Sequence, residues 1–290
     1  MRADRLCDAQ VTIIGLGLMG GSLAAALTRR AACRRVVGVA RREETAQAAL
    51  AKGMVHHVTT ALEEGVREAD LVVLATPVRT ILSLLREMGP LLPPGCVVMD
   101  VGSTKRAIVA AMDALPPTVE PLGGHPLCGK ETSGLEAAEP ALYEGRVFVL
   151  TPLPRTSEPA LALGRELVEA IGARPLVLSP DQHDYLVAAT SHLPYLLAVG
   201  LISTAEEVAA EAPGLWELVA SGFRDTSRLA ASDVTIMMDI LLTNRVAVLE
   251  MLLRFQRRLE ELTTLLDNGD EASLQTLMDA VARRRRTLFP

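Results

Sequence analysis

The sequence predicts an α/β domain with a doubly wound, mostly parallel sheet, followed by an all-helical domain. Three observations lead to this prediction. Short β-branched apolar runs alternate with helical patterns in the first half, a glycine-rich turn follows the first run, and no strand-like run appears after residue 179. Strands that are apolar throughout are typical of a parallel sheet with helices on both faces. We therefore predict two domains, residues 1–178 and residues 179–290.

Six apolar runs are the predicted strands of the first domain: Val11–Gly15, Arg35–Ala40, Leu71–Ala75, Cys96–Val101, Arg146–Leu150 and Arg174–Leu178. The second domain begins at the segment 179–181 (SPD), where a capping side chain precedes a proline in the first helical turn. Apolar residues then recur at helical spacing over 182–211, 233–266 and 271–288. Because helices with such stripes bury them against other helices, we expect a homodimer formed through this domain.

Composition and charge narrow the class of protein. Hydrophobic residues make up 49% and charged residues 22%, a balance typical of soluble globular proteins. The net charge of −6 gives no reason to expect nucleic acid or a membrane surface as partner, and the apolar stretches look too short to span a bilayer. The four cysteines lack metal-ligand spacing, and no signal peptide is recognisable. We therefore expect a cytoplasmic protein that binds no metal.

The segment 15–20 (GLGLMG) follows the first strand and opens an alanine-rich helix. Its three glycines permit a tight turn, a close approach of the backbone to a pyrophosphate, and close packing of the helix on the strand. The helix N-terminus then favours the phosphates. This context predicts a Rossmann-type dinucleotide site, although a glycine-rich turn that serves packing alone has the same composition. The residues expected to contact the dinucleotide are Gly15, Leu16, Gly17, Leu18, Met19 and Gly20.

The end of the second strand bears on the choice of cofactor. NAD-binding domains place a carboxylate there for the ribose hydroxyls, whereas this chain has Ala40, Arg41 and Arg42. Arg41 is suited to pair with a 2′-phosphate, so we predict NADP, with NAD as a possible substitute. The alternative is that both arginines are ordinary surface residues at the start of a helix. Thr76 and Pro77, after the third predicted strand, are expected to line the nicotinamide ribose.

Four further motifs follow in order: residues 100–105 (DVGSTK), 123–129 (GGHPLCG), 191–194 (SHLP) and 222–228 (GFRDTSR). Together with the glycine-rich turn, they resemble the prephenate/arogenate dehydrogenases of tyrosine biosynthesis. The resemblance extends from about residue 11 to beyond residue 260. It implies oxidative decarboxylation of prephenate or arogenate, in which a cyclohexadienol is oxidised, the ring carboxylate leaves as carbon dioxide, and hydride passes to the nicotinamide.

The resemblance also implies roles for three residues. His125 would bond the ring hydroxyl, and imidazole suits this role because its ordinary pKa lies near neutrality. Ser103 would support it on the nicotinamide side, and it would also contact the cofactor. Arg228 would hold a substrate carboxylate in two-point geometry. A structural histidine in a turn and a plain helix cap are the alternatives for His125 and Ser103.

Three more residues are expected near the substrate. His192 either bonds the substrate or is a buried histidine that bonds a backbone carbonyl freed by Pro194. Glu131 matches a position near the mouth of the substrate site. Tyr195 stands where some prephenate-specific members carry a second histidine, which slightly favours arogenate, while Lys130 argues in the opposite direction.

Two other functions are considered. A β-hydroxyacid dehydrogenase shares the domain order, but it uses a lysine in the helical domain, and this chain has lysine only at positions 52, 105 and 130. A redox-sensing module would bind the dinucleotide without turning it over. The presence of both His125 and Arg228 argues against such a module and for a small-molecule substrate.

Overall fold

The sheet of this computed structural model, which describes residues 2–3, 5–130 and 132–289, has eight strands among those residues. They are β1 (Gln10–Ile14), β2 (Arg35–Val39), β3 (His57–Thr59), β4 (Leu71–Leu74), β5 (Val97–Asp100), β6 (Glu120–Pro126), β7 (Val147–Pro152) and β8 (Arg174–Val177). The strand order is β3-β2-β1-β4-β5-β6-β7-β8. The first six strands are parallel, β7 is antiparallel to β6, and β8 is parallel to β7. The predicted doubly wound, mostly parallel sheet is confirmed.

Helices cover both faces of this sheet. In the sheet region they are α1 (Leu18–Arg29), α2 (Glu43–Ala51), α3 (Leu62–Val66), α4 (Val78–Met88), α5 (Arg106–Asp113) and α6 (Glu158–Ala170). Alternate residues of β4 belong to two different buried clusters, Leu71 and Val73 to one and Val72 and Leu74 to the other. Since successive strand residues point to opposite faces, each face of the sheet has its own apolar core.

Two of the strands were not predicted. β3 has only three residues, and β6 has the sequence EPLGGHP, whose prolines and glycines disfavour a strand. The glycines are required by packing: a Cβ on Gly123 would lie 2.0 Å from Thr151 Oγ1, and a Cβ on Gly124 would lie 2.4 Å from the carbonyl oxygen of Asp100. His125 lies inside β6, and not in a turn as the structural alternative for this residue assumes.

The chain after residue 178 is helical. It contains α7 (Pro180–Val187), a π-helical turn (Ala188–His192), α8 (Leu193–Glu211), α9 (Ser221–Ser227), α10 (Val234–Thr243), α11 (Arg245–Asp267) and α12 (Glu271–Leu288). Ser179 and Gln182 form a reciprocal cap at the start of α7. The π turn lies immediately before Pro194, which has no backbone N–H to donate and so interrupts regular α-helical bonding. The predicted segment 233–266 is divided at Asn244.

The helical stretch Pro180–Glu211 is long and apolar enough to cross a membrane by length and composition. This corrects the expectation that no apolar stretch reaches that length. One such helix is weak evidence for a membrane, because core helices of soluble proteins have the same composition. Its first turns also contain His183, Asp184 and His192, which are buried and hydrogen-bonded within the protein.

The chain divides into two compact units, Met1–Asn244 and Arg245–Pro290. In the first unit, hydrogen bonds hold the early helices of the helical region on the sheet domain: Asp184 accepts from the backbone of α5, and Asp239 accepts from the backbone N–H of Arg79. The second unit consists of α11 and α12, which pack on each other. The domain boundary near Ser179 stays a prediction.

Candidate active site

The glycine-rich turn between β1 and α1 has the backbone of a dinucleotide loop. Gly15 has φ +100°, which favours glycine, and a Cβ on Gly20 would lie 1.9 Å from the carbonyl oxygen of Gly15. Gly17 caps α1, and a Cβ there would meet no atom within 4 Å. Two of the glycines are thus needed for the turn itself, whereas Gly17 faces open space at a helix N-terminus, where an anion is favoured.

A cleft of about 500 Å³ opens beside this turn. It lies at the point where the strand order reverses between β1 and β4, which is where open α/β sheets bind their ligands. The carboxyl ends of β4 and β5 contribute to it, and so do the segment after Gly129 and helix α10. The predicted cofactor residues that line the cleft are Gly17, Leu18, Met19, Thr76, Pro77 and Ser103.

The cleft has the features that a dinucleotide requires. Thr76 Oγ1 is buried at its wall and finds no hydrogen-bond partner among the described residues, so it has a donor and lone pairs to offer a ligand. The open space over Gly17 provides room for a phosphate beside the free N–H groups of α1. Leu16 instead packs in the core, and Arg41 is exposed just beyond β2.

A buried ion pair fixes the ends of β5 and β6. Lys105 Nζ donates to Asp100 and, at 2.6 Å, to the carbonyl oxygen of Gly124. The Asp100 carboxylate also accepts from the N–H groups of Gly102 and Gly124, at 2.7 and 2.9 Å. Burial lowers the pKa of Lys105, and the Asp100 charge offsets this. The network joins the loop that carries Ser103 to the strand that carries His125.

His125 is partly buried near the carboxyl end of β6, the same sheet edge that forms the cleft. Its Nδ1 lies 2.7 Å from Nε2 of His183, and Nδ1 of His183 lies 2.7 Å from Oδ1 of Asp184. His183 and Asp184 are fully buried. Burial lowers the pKa of His125 well below its usual value, and the neighbouring His183 and Lys105 lower it further. A neutral imidazole is the form suited to accept a proton.

The other predicted residues are placed as follows. Ser103 lines the cleft, and because Lys105 is the N-cap of α5, Ser103 is not a helix cap. Arg228 is exposed, and its neighbour Leu229 lines the cleft. His192 is buried and is not among the residues that line the cleft; its Nδ1 lies 3.3 Å from Asn244 Nδ2. Tyr195 is half-buried on α8, and Glu131 lies outside the described residues.

Comparison with known proteins places the chain in a family. The family models for the prephenate dehydrogenase nucleotide-binding domain and dimerization domain match residues 23–177 and 179–280. The chain belongs to the prephenate dehydrogenase family. Among curated proteins, the prephenate dehydrogenase of Bacillus subtilis is 32% identical over 266 residues, which are 91% of this chain and 72% of that protein.

Two solved structures of this family superpose on nearly the whole chain. The structure of A. aeolicus prephenate dehydrogenase in complex with hydroxyphenyl propionate and NAD+ has a TM-score of 0.90 and 30% identity, and the match covers 97% of this chain and 98% of that one. The structure of Synechocystis arogenate dehydrogenase has a TM-score of 0.85 and 32% identity, covering 96% and 99%. The predicted family and fold class are confirmed. Family membership makes the chain an NAD(P)-dependent oxidoreductase of the prephenate dehydrogenase type, and not of the β-hydroxyacid dehydrogenase type.

Sequence reasoning on the family motifs did not select His183 and Asp184. Both lie in α7, 58 positions or more from His125 in the chain, and they contact the site only through the fold. His183 and Asp184 lie in the first turns of α7, after the Ser-Pro helix start. One histidine and one aspartate at such a place form no recognisable sequence motif. Their full burial in a polar pair is the signal that singles them out, and it exists only in the folded structure.

Proposed function

We propose that this chain oxidatively decarboxylates arogenate or prephenate with hydride transfer to NADP, and that arogenate is the preferred substrate. The observation that carries the proposal is one edge of the sheet, where the glycine-rich turn and Ser103 line the cleft and His125 lies near the end of β6, the strand next to β5. Family membership supports the reaction class. The solved relatives include one named as a prephenate dehydrogenase and one named as an arogenate dehydrogenase.

The mechanism assigns the proton to His125. The nicotinamide, when bound, supplies the hydride acceptor. As the ring C–H is oxidised, the hydroxyl becomes a carbonyl and its proton must leave, and the imidazole of His125 is the group that takes it. Ser103, on the loop that Lys105 and Asp100 anchor, would hold the same hydroxyl toward the nicotinamide side of the cleft. The ring carboxylate then departs as carbon dioxide, the electron pair of the broken C–C bond makes the ring aromatic, and the carbonyl oxygen becomes a phenol hydroxyl by taking a proton back from His125 or from water.

Arg228 is proposed to hold a substrate carboxylate. It begins the short helix 228–231, and the next residue of that helix, Leu229, lines the cleft. A guanidinium holds a carboxylate through two parallel hydrogen bonds, which fixes the ring relative to the nicotinamide. The roles of His192, Tyr195 and Glu131 toward the substrate remain part of the proposal, with the burial of His192 favouring its structural alternative.

NADP is proposed as the preferred cofactor because of the residues after β2. Ala40 stands where a carboxylate would bind the ribose hydroxyls, and the exposed Arg41 is available for a 2′-phosphate. A nicotinamide cofactor of either kind is supported by the nucleotide-binding family model and by the A. aeolicus complex with NAD+. The preference of this chain for arogenate has Tyr195 as its support.

A homodimer in the cytoplasm is proposed as the working form. The second family model is that of a dimerization domain, and it covers the helical region. Exposed apolar side chains recur on α11 at helical spacing, as in Val246, Leu249 and Leu253. A second copy of the chain is the natural cover for such a stripe.

The test is an initial-rate assay of the purified chain on prephenate and on arogenate, each with NAD+ and with NADP+. We expect the highest kcat/KM for arogenate with NADP+. An Arg41→Ala variant is then expected to lose kcat/KM with NADP+ by about tenfold or more while its rate with NAD+ is kept. Higher activity with NAD+ in the unaltered chain would refute the cofactor proposal alone, whereas absence of activity in all four pairs would refute the function.

A further inference from the structure

A line of three side chains runs from the end of β6 into the protein interior. It starts at His125, passes through His183 and ends at Asp184, with two contacts of 2.7 Å each. The two imidazole rings meet edge-on, with their centroids 5.0 Å apart and their planes at 74°. In that geometry a ring N–H points at the lone pair of the other ring, which makes the contact a directed hydrogen bond.

Asp184 determines the direction of this line. Its Oδ1 accepts from the backbone N–H of Lys105 at 2.7 Å, and its Oδ2 accepts from that of Arg106 at 2.9 Å. Both oxygens of the carboxylate thus act as hydrogen-bond acceptors, and Asp184 has only acceptors to offer His183. The Nδ1 of His183 must therefore carry the proton that it shares with Asp184.

The orientation then passes to His125. A neutral His183 with its proton on Nδ1 has a bare Nε2, which only accepts. The Nδ1 of His125, 2.7 Å away, must then donate, and this leaves Nε2 of His125 without a proton. A bare Nε2 is the form that accepts a hydroxyl proton, whereas the opposite tautomer would offer the substrate an N–H.

We infer that Asp184 and His183 are positioning residues that hold His125 in the tautomer with a bare Nε2. The inference rests on the proposed role of His125 as the acceptor of the hydroxyl proton. His183 is fully buried and is hydrogen-bonded to His125, so we infer that it acts on the reaction through that residue. When His125 takes the proton, its Nδ1–H bond to His183 strengthens. The Asp184 carboxylate then stabilises the positive charge of the His125 imidazolium through His183.

The tautomer can be observed directly, because the chain has only five histidines. We would label histidine with ¹⁵N, record long-range ¹H–¹⁵N correlations on the full-length protein at pH 7.5, and assign His125 and His183 from single variants. We expect a protonated Nδ1 and a bare Nε2 on both rings. A proton on Nε2 of His125, or a doubly protonated His183, would overturn the inference without any assay of activity.

Kinetics of two matched variants test the consequence. His183→Leu removes the acceptor for His125 Nδ1, so we expect kcat to fall by about 10²-fold while the KM of the substrate and the Kd of the cofactor change little. His183→Gln places an amide oxygen near the former Nε2 position and is expected to recover most of that kcat. A His183→Leu enzyme with unchanged kcat would overturn the inference, and so would an equal loss in both variants while their thermal unfolding matches the unaltered chain.

The two hypotheses fail in different ways. If the unaltered chain oxidises neither cyclohexadienyl substrate, the proposed function is wrong, and the tautomer spectrum still decides whether Asp184 and His183 orient His125. If the chain is active but the spectrum shows the other tautomer, the function stands and the positioning role is wrong.

Discussion

At the residue scale, burial controls the charge of the histidines around the site. Burial lowers the pKa of His192 to about 4, with the Asp184 charge opposing the shift. The pKa of His125 is lowered well below 6.5 for the same first reason. Both rings are therefore neutral at physiological pH. The catalytic consequence is that the acceptor form of His125 is retained below pH 6.5, so the acid limb of the kcat profile is expected below that pH.

The same shifts predict how stability depends on pH. Above pH 6.5 both folded and unfolded chains keep His192 neutral, so its contribution to stability is complete. Between pH 6.5 and about 4 only the unfolded chain takes up the proton, which lowers the free energy of unfolding by up to about 3 kcal/mol. His192→Asn keeps an acceptor for Asn244 but cannot titrate. Urea unfolding at pH 7.5 and pH 4.5 should show a smaller loss for this variant, and an equal loss in both proteins would contradict the account.

Residues of the site differ in how far the sequence reveals them. His125 and Ser103 each lie in a short contiguous motif. A motif of this kind can be recognised in the sequence, so the family resemblance identifies both residues. The hydrogen bond of His183 to His125 joins positions 58 apart, and no local pattern records it. Contacts of that kind depend on the packing of α7 against the sheet domain, which the sequence does not specify by periodicity.

At the element scale, different glycines of the glycine-rich turn serve folding and cofactor binding. Gly17→Ala adds a Cβ that meets no protein atom within 4 Å, so the fold is expected to persist while the pyrophosphate loses its room. Gly20→Ala puts a Cβ 1.9 Å from the carbonyl oxygen of Gly15, so the turn itself must shift. Cofactor titration and thermal unfolding check both variants. We expect weaker cofactor binding with an unchanged Tm for Gly17→Ala, and a lowered Tm for Gly20→Ala.

The reverse pattern, a destabilised Gly17→Ala beside an unaffected Gly20→Ala, would contradict this assignment of roles to the two glycines.

The strands show why element prediction succeeded in part. Runs such as β1 and β4 are apolar at every position and are bounded by turns, which is typical of buried parallel strands. The two prolines and two glycines of β6 disfavour a strand, so the sequence does not predict it. The glycines are required because β5 and β7 leave no space for a Cβ at these positions. The sequence predicts one continuous helical segment over 233–266, because apolar residues keep their helical spacing on both sides of the break at Asn244.

At the scale of the whole molecule, the proposed dimer predicts a mass near twice 31.0 kDa in light scattering. Leu253 is exposed on α11 within an apolar stripe, so Leu253→Glu is expected to weaken association by burying a charge. Arg258→Glu places a negative charge at an exposed position of α11 that lies off the helical spacing of the stripe, and it serves as the control. A monomeric unaltered chain would contradict the dimer. Equal association of both variants with the unaltered chain would place the interface on another surface.

The whole fold explains why distant motifs make one site. Parallel strands bring the ends of β4, β5 and β6 to one edge, and the reversal of strand order beside β1 opens the cleft there. Motifs at residues 15–20, 100–105 and 123–129 therefore meet, although each is separated from the next along the chain. The central claim is that the imidazole of His125 accepts the hydroxyl proton at this edge.

The most direct test of that claim is the kcat of a His125→Asn variant with saturating cyclohexadienyl substrate and cofactor. Asn keeps a polar side chain of similar size but has no basic nitrogen. We predict a fall in kcat of about 10²- to 10⁴-fold, with an unchanged Kd for the cofactor and an unchanged Tm. A His125→Asn enzyme that turns over nearly as fast as the unaltered chain would contradict the account.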